Sequence, residues 1–357
     1  MSDNDIVTLE EPGFYAGLEE RTYRHLLRTP GVALNQTNGL KLLEECPLAA
    51  YWNTPELNSD YVGEDDQRLD DGSVRHTLML GEGKQFKILD APDYRTKEAR
   101  VQRDAYRAAG FVPILIGQYR KANQMVKAAR EQLDTVFRGG QYAFNRDFGD
   151  VELCGVMHDP AGAWTKTLID FYGHRIPTGV EVWDYKTTAG SANPASLRSR
   201  MLGWAFQSAF QERIITQLKP ELAGRIKFRF FVQEDTAPYL CSVVEPASDA
   251  RVLAHKMVAA SIAIWANCLA TNTWPSYPTT PVSIGAVPWL ESQWLEREIS
   301  DDLVALAERD PYLRLPGVLD LLVESDPERR SRRGPYRPAK PGDRRRRQNK
   351  WSLMGPQ

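Results

Sequence analysis

The chain has 357 residues, 42 % apolar and 26 % charged, enough for one large domain or two smaller ones with a sizeable core. The pattern reads as containing no apolar run long enough to span a bilayer, and the opening MSDNDIVTLEEPG is too acidic and polar for a secretory signal. The net charge of −2 conceals an asymmetry: residues 329–350 hold eleven Lys or Arg against one Asp, a net of +10, leaving −12 for the remainder.

In chain order, residues 13–55 read as helical and loop-rich, with NGLKLLEECPLAAY (38–51) apolar at helical spacing until Pro47 interrupts it. A polar loop then leads into a short helix, DDGSVRHTLMLGEG, that carries His76 four residues after Gly72. Residues 93–137 read as one or two long helices broken at Pro113. From about residue 150 the pattern turns to strands: VELCGVMHD, WTKTLIDFYG and GVEVWDYKTT. Asn193-Pro194 opens a helix that continues to Leu218, with Asn as cap and Pro in the first turn. Two more strands follow, RIKFRFFVQE and PYLCSVVEP, then a long helix over 247–270 and another helical stretch over 285–325.

This order predicts an α/β fold: a central mixed β-sheet flanked by helices, with a helical N-terminal region. The expected divisions are a helical N-terminal part at 1–149, a strand-rich core at 150–280, a helical extension at 281–328 and a basic tail at 329–357. A Pro/Gly/Arg segment with so few apolar residues cannot offset its ordering entropy, so the tail is expected to be disordered. Its cations, Arg344, Arg345, Arg346 and Arg347 among them, suit phosphate contacts with nucleic acid. The four cysteines are far apart with no C-x-x-C pair, which fits thiols in a reducing, cytoplasmic setting and excludes an iron–sulfur cluster. GEGKQF lacks the first Gly and the Ser/Thr of a phosphate-binding loop, so ATP use is not expected.

The chemistry concentrates in WTKTLIDFYGHRIPTGVEVWDYKTT. Alternation along the second strand puts Asp184 and Lys186 on one face, and a hairpin can bring Asp170 beside them. The flanks are apolar and aromatic, so these charges are embedded in core strands, where charge is costly unless it is paired or holds a metal. Two carboxylates and a lysine at a sheet edge suit a divalent cation and an activated water, an arrangement that hydrolyses phosphodiesters. Hard oxygen donors favour Mg²⁺ or Mn²⁺. Glu152 opens the first strand and could approach the same metal. On the next helix Arg200, Trp204, Gln207 and Gln211 recur at helical spacing, a polar stripe that could lie along a nucleotide groove or face solvent.

The ordered set His76, Glu152, Asp170, Asp184-x-Lys186 and Gln207 resembles the PD-(D/E)xK nuclease superfamily and, more narrowly, the exodeoxyribonuclease VIII (RecE-type) domain of phage recombination systems. The likeness covers about residues 12–280; PGFYAGLEERTYRHL, LNQTNGLKLLEECPLAAYW, WAFQSAF and NTWPSYP are similar to further family segments. The resemblance implies a restriction-endonuclease-like core in which Asp170, Asp184, the Tyr185 carbonyl and the His76 ring bind Mg²⁺. It further implies that Lys186 orients and helps deprotonate the attacking water, and that Gln207 contacts DNA or holds the lysine. Glu152 would touch a second metal or orient His76. Gln211 stands where the family's helix carries Tyr. The implied activity is an exonuclease acting on double-stranded DNA ends from 5′ to 3′ in a bacterial host cell. It leaves 3′ strands for a RecT-type single-strand annealing protein, and relatives form homo-oligomeric rings. Other nucleases of the fold (Cas4-like or repair types) and a catalytically silent DNA-binding scaffold are the alternatives.

Overall fold

A computed structural model describes residues 6–20, 22–61, 67–177, 179–285, 287–300 and 315. The expected mixed sheet is present, with six strands in the order β10-β9-β8-β7-β6-β2. Its members are β2 (Gly13–Tyr15), β6 (Asp150–Asp159), β7 (Ala163–Ile176), β8 (Gly179–Thr188), β9 (Ile226–Glu234) and β10 (Cys241–Val244). β6, β7 and β8 are antiparallel neighbours, and β8 pairs with β9 in parallel after a helical crossover.

Helices cover both faces. α6 (Met201–Leu218) packs on one face against Leu153, Ile169, Val182 and Phe230, with α1 (Gln36–Glu44) and α7 (Ser248–Thr271) behind it. On the other face α3 (Gln67–Leu80) and α5 (Ile116–Thr135) enclose Val151, Phe171, Trp183, Tyr185 and Phe231. β8 therefore sends Val182 to one layer and Trp183 and Tyr185 to the other, as a two-residue period requires.

Local chemistry accounts for the boundaries near the site. Asn35 caps α1, its Oδ1 accepting from the Asn38 N–H at 2.9 Å, and Pro47 opens α2 (Pro47–Trp52) as a first-turn proline. The helix expected from Asn193 to Leu218 begins instead as a 3₁₀ segment, Pro194–Arg200, before α6.

Three expectations change. The stretch 93–137 is not helix broken at Pro113: α4 (Lys97–Ala108) leads into a strand, β5 (Val112–Leu115), before α5. β5 pairs in parallel with β4 (Phe86–Leu89), so Pro113 sits in a two-stranded sheet, whose edge tolerates a missing N–H. The N-terminal part is thus mixed rather than helical, since it also gives β2 to the main sheet and forms a small parallel pair, β1 (Val7–Thr8) with β3 (Leu27–Arg28). Lastly, α7 is long and apolar enough by length and composition to cross a membrane; its buried Ala254, Val258, Ile262 and Trp265 belong to the core against α1 and α6.

Residues 1–277 form one compact unit, which holds the N-terminal part and all but the last three residues of the expected core. The second unit, residues 278–357, contains α8 (Pro288–Ser300), which covers part of the expected 285–325 helix. The basic tail with Arg344, Arg345, Arg346 and Arg347 lies outside the described residues. All four cysteines are free thiols, with Cys46, Cys154 and Cys268 buried.

Candidate active site

The β7–β8 hairpin stops pairing where its carboxylates begin. Its ladder runs from Ile176↔Gly179 to Phe171↔Trp183, whereas β8 continues beside β9 as far as Thr188↔Glu234. Beyond Trp183 the two strands part. The Tyr185 N–H is then satisfied by a side chain, the Asp170 Oδ2, at 2.9 Å. The β6–β7 ladder is interrupted at the same level: Val151 pairs with Phe171 and Leu153 with Ile169, and between them Glu152 takes a left-handed φ of +48°. A bulky residue in that conformation is strained, and such strain is held in place by its surroundings.

The opening is a cavity of ≈ 530 Å³, and His76, Glu152, Asp170, Asp184, Tyr185, Lys186 and Gln207 all line it. α3 delivers His76, whose Nε2 lies 2.9 Å from Asp170 Oδ2 and whose Nδ1 lies 3.2 Å from Glu152 Oε1. Lys186 Nζ stands 2.7 Å from Asp184 Oδ1, and the Gln207 amide of α6 donates to Asp184 Oδ2. Asp184 and Glu152 are 1 % and 2 % exposed, so these two carboxylates lie at the floor of the cavity.

Burial and mutual charge shape each group. Burial, and then repulsion from Asp170, push the Asp184 carboxyl above its ordinary range. Burial alone would raise Asp170, but His76, Lys186 and the Tyr185 N–H outweigh it and hold this carboxyl low. Burial also raises Glu152, against the opposing pull of His76. For His76 and Lys186 burial disfavours the charge, yet the neighbouring carboxylates prevail and both groups are held protonated above their ordinary values.

Among the described residues no group of three or more His, Cys, Asp or Glu is arranged as a ready metal cage. The donor set nevertheless fits a hard divalent cation. Both Glu152 oxygens and Asp184 Oδ1 are buried without a hydrogen bond of good geometry; the Lys186 and His76 contacts to them are ion pairs by distance alone. Two buried carboxylates, Glu152 and Asp184, beside the half-buried Asp170 around one cavity are an arrangement that a cation relieves.

The helical stripe is corrected. Gln211 is 0 % exposed; its amide donates to the Leu168 carbonyl at 3.1 Å, so it braces β7 and cannot reach a nucleic acid. Trp204 stacks on Phe230 with ring centroids 5.3 Å apart, and only Gln207 points into the cavity. Arg200 is exposed at the end of the 3₁₀ segment, off the cavity lining.

The sequence reading missed Glu20, Arg24, Asn38, Glu56 and Lys166, which also line the cavity. Lys166 is 4 % exposed and pairs with Glu56 at 3.4 Å; Glu20 holds Arg24 at 2.5 Å. Alternation back along β7 from Asp170 through Leu168 reaches Lys166, so this one residue had a local signal. The others come from separate segments and had none.

No family model matches the chain, and no curated protein matches it. It is similar to the crystal structure of a "Putative exonuclease" from Eubacterium rectale, at 10 % identity and a TM-score of 0.46, over 73 % of this chain and 92 % of that one. A likeness at that level carries no argument about activity, and the reading of the site rests on its own geometry.

Proposed function

We propose that this chain is a metal-dependent nuclease of the PD-(D/E)xK kind that hydrolyses phosphodiester bonds in linear double-stranded DNA. The observation that carries the proposal is the meeting of Asp170, Asp184 and Lys186 in one cavity at the point where the β7–β8 ladder ends. Following the resemblance, the finer reading is a 5′ to 3′ exonuclease whose 3′ strands pass to an annealing protein, with a ring assembly as a further part of it.

Asp170, Asp184, the His76 ring and the Tyr185 carbonyl would hold Mg²⁺ or Mn²⁺. When bound, the cation supplies Lewis acidity that lowers the pKa of water and offsets charge on the phosphate. Holding it through His76 would require the neutral imidazole, whereas Asp170 and Glu152 favour the protonated ring. Lys186 orients the attacking water and donates to a phosphate oxygen as negative charge grows there. Gln207 fixes the Asp184 carboxylate by its amide hydrogen bond. Glu152 sets the orientation of the His76 ring from the far nitrogen.

The test incubates linear and covalently closed circular duplex with the full chain, with and without Mg²⁺, beside Asp184→Ala. Loss of linear DNA alone, dependent on both Mg²⁺ and Asp184, is expected. Degradation of closed circles would assign an endonuclease instead, and DNA binding with no hydrolysis in any arm would leave only a scaffold.

A further inference from the structure

With Gln211 and Trp204 turned inward, the helical stripe offers no seat for the duplex beside the cavity. A different surface does. From Phe86 to Thr135, β4, α4, β5 and α5 carry ten Lys or Arg against six Asp or Glu, a net of +4 in a chain whose total is −2. On α4, Lys97, Arg100, Arg103 and Arg107 recur at intervals of three, three and four, which places them along one side of the helix. Of these four, Lys97 and Arg100 are exposed and Arg103 and Arg107 half-buried.

Lys97 and Arg100 on α4 and Arg120 and Lys121 on α5 are all exposed, and none of the four has an ion pair among the described residues. Two other cations of this layer are paired, Arg103 with Asp104 at 2.8 Å and Lys127 with Glu131 at 3.9 Å, and Lys87 lies over the Phe111 ring. A set of exposed cations is usually a solvated face; what sets this one apart is that α5 is continuous with the site, while α4 joins it through β4 and β5. Arg75, the neighbour of His76, lines the large cavity and also a small one of ≈ 60 Å³ walled by Gln118, Lys121 and Met125 of α5. From the other side, Gln233 of β9 donates to the Met125 carbonyl at 2.8 Å and accepts from the Tyr185 hydroxyl at 2.6 Å. α5 is thereby fastened to the residue between Asp184 and Lys186.

We propose that the α4–α5 surface is a duplex-DNA track, on which Lys97, Arg100, Arg120 and Lys121 contact backbone phosphates next to the end being degraded. The proposal rests on the nuclease reading above for its substrate. Contacts of this kind fix the position of a duplex without reading its sequence, and they make affinity fall with salt.

The test measures binding of a labelled linear duplex in EDTA by fluorescence anisotropy across a salt series, using full-length wild type, K97E/R100E and R120E/K121E. Hydrolysis of bis(p-nitrophenyl) phosphate with Mg²⁺ or Mn²⁺ is followed in parallel as a substrate too small to use the track. Each double variant should lower the salt slope by about two and weaken binding near 0.1 M salt by roughly ten- to a hundredfold. Small-diester hydrolysis should stay at the wild-type rate. The neutral pair K97Q/R100Q covers the case in which charge reversal disturbs folding, and it too must lower the slope. Wild-type affinity and slope in these variants would overturn the track and leave the nuclease reading standing. Absence of all hydrolysis in the wild type, with binding still weakened by the variants, would remove the nuclease reading and keep the track.

Discussion

His76 and Asp170 lie 94 residues apart in the chain, and His76 Nε2 stands 2.9 Å from Asp170 Oδ2. The contact joins α3 to β7 across the gap left where β7 parts from β8, so a helix on one side of the sheet closes a site formed by its strands. Glu152 Oε1 lies 3.2 Å from the other ring nitrogen, so both nitrogens of the imidazole face carboxylates.

Glu152→Gln keeps the shape of the side chain and removes its charge. Partners that orient a metal-binding histidine typically affect metal affinity by about ten- to a hundredfold. Titration of Mn²⁺ followed by electron paramagnetic resonance should show a loss of this size with an unchanged circular dichroism spectrum. Wild-type Mn²⁺ affinity in this variant would remove Glu152 from the site.

Mg²⁺ should stabilise the folded chain because the carboxylates converge only when it is folded. At ten times the dissociation constant the gain is about 1.4 kcal/mol, a rise of about 3 °C in the thermal midpoint of a domain this large. Asp170→Asn/Asp184→Asn should show no such rise. A full Mg²⁺ response in the double variant would place the cation elsewhere.

Gln211→Ala should destabilise the fold by about 1–3 kcal/mol, since the Leu168 carbonyl loses its buried donor. The salt slope of DNA binding should not move. Chemical denaturation and anisotropy read the two effects separately, and a changed slope with wild-type stability would return this residue to the DNA interface.

Much of this site was legible because its signals are local. The expected GVEVWDYKTT strand and the observed β8, Gly179–Thr188, coincide, and alternation placed Asp184 with Lys186 as found. His76 stood out through order along the chain rather than spacing. β5 was hidden because four residues containing a proline, VPIL, resemble a helix break more than a strand. The stripe on α6 failed for another reason: periodicity tells which residues share a face, not whether that face meets solvent. Gln207 and Gln211 are polar residues on a buried face, where their amides serve Asp184 and the Leu168 carbonyl. Glu20, Arg24 and Glu56 reach the cavity only through tertiary packing of segments with no pattern of their own.

Asp159 offers a pH test away from the candidate site. Burial alone would raise this carboxyl, but hydrogen bonds from Arg213, at 2.6 and 2.8 Å, with others from Ala161 and Gln217, hold it below its ordinary value. A depressed folded-state pKa adds stability that is present above the unfolded value and is lost as pH falls through the folded one. Asp159→Asn should therefore cost about 3 kcal/mol at pH 7, and the gap to wild type should narrow as pH drops below about 4. A gap that stays constant down to pH 3 would show that the charge contributes nothing.

Under the proposed function, the left-handed backbone at Glu152 would put heat resistance and DNA degradation in competition at one codon. Glycine or asparagine adopts φ near +48° with less strain, a difference of about 1 kcal/mol, and neither buries a carboxylate there. A library randomised at position 152 and selected only for survival on heating should drift toward those residues. The same library selected for DNA degradation should return glutamate, so the preference at this single site reports which property a population has been asked to keep.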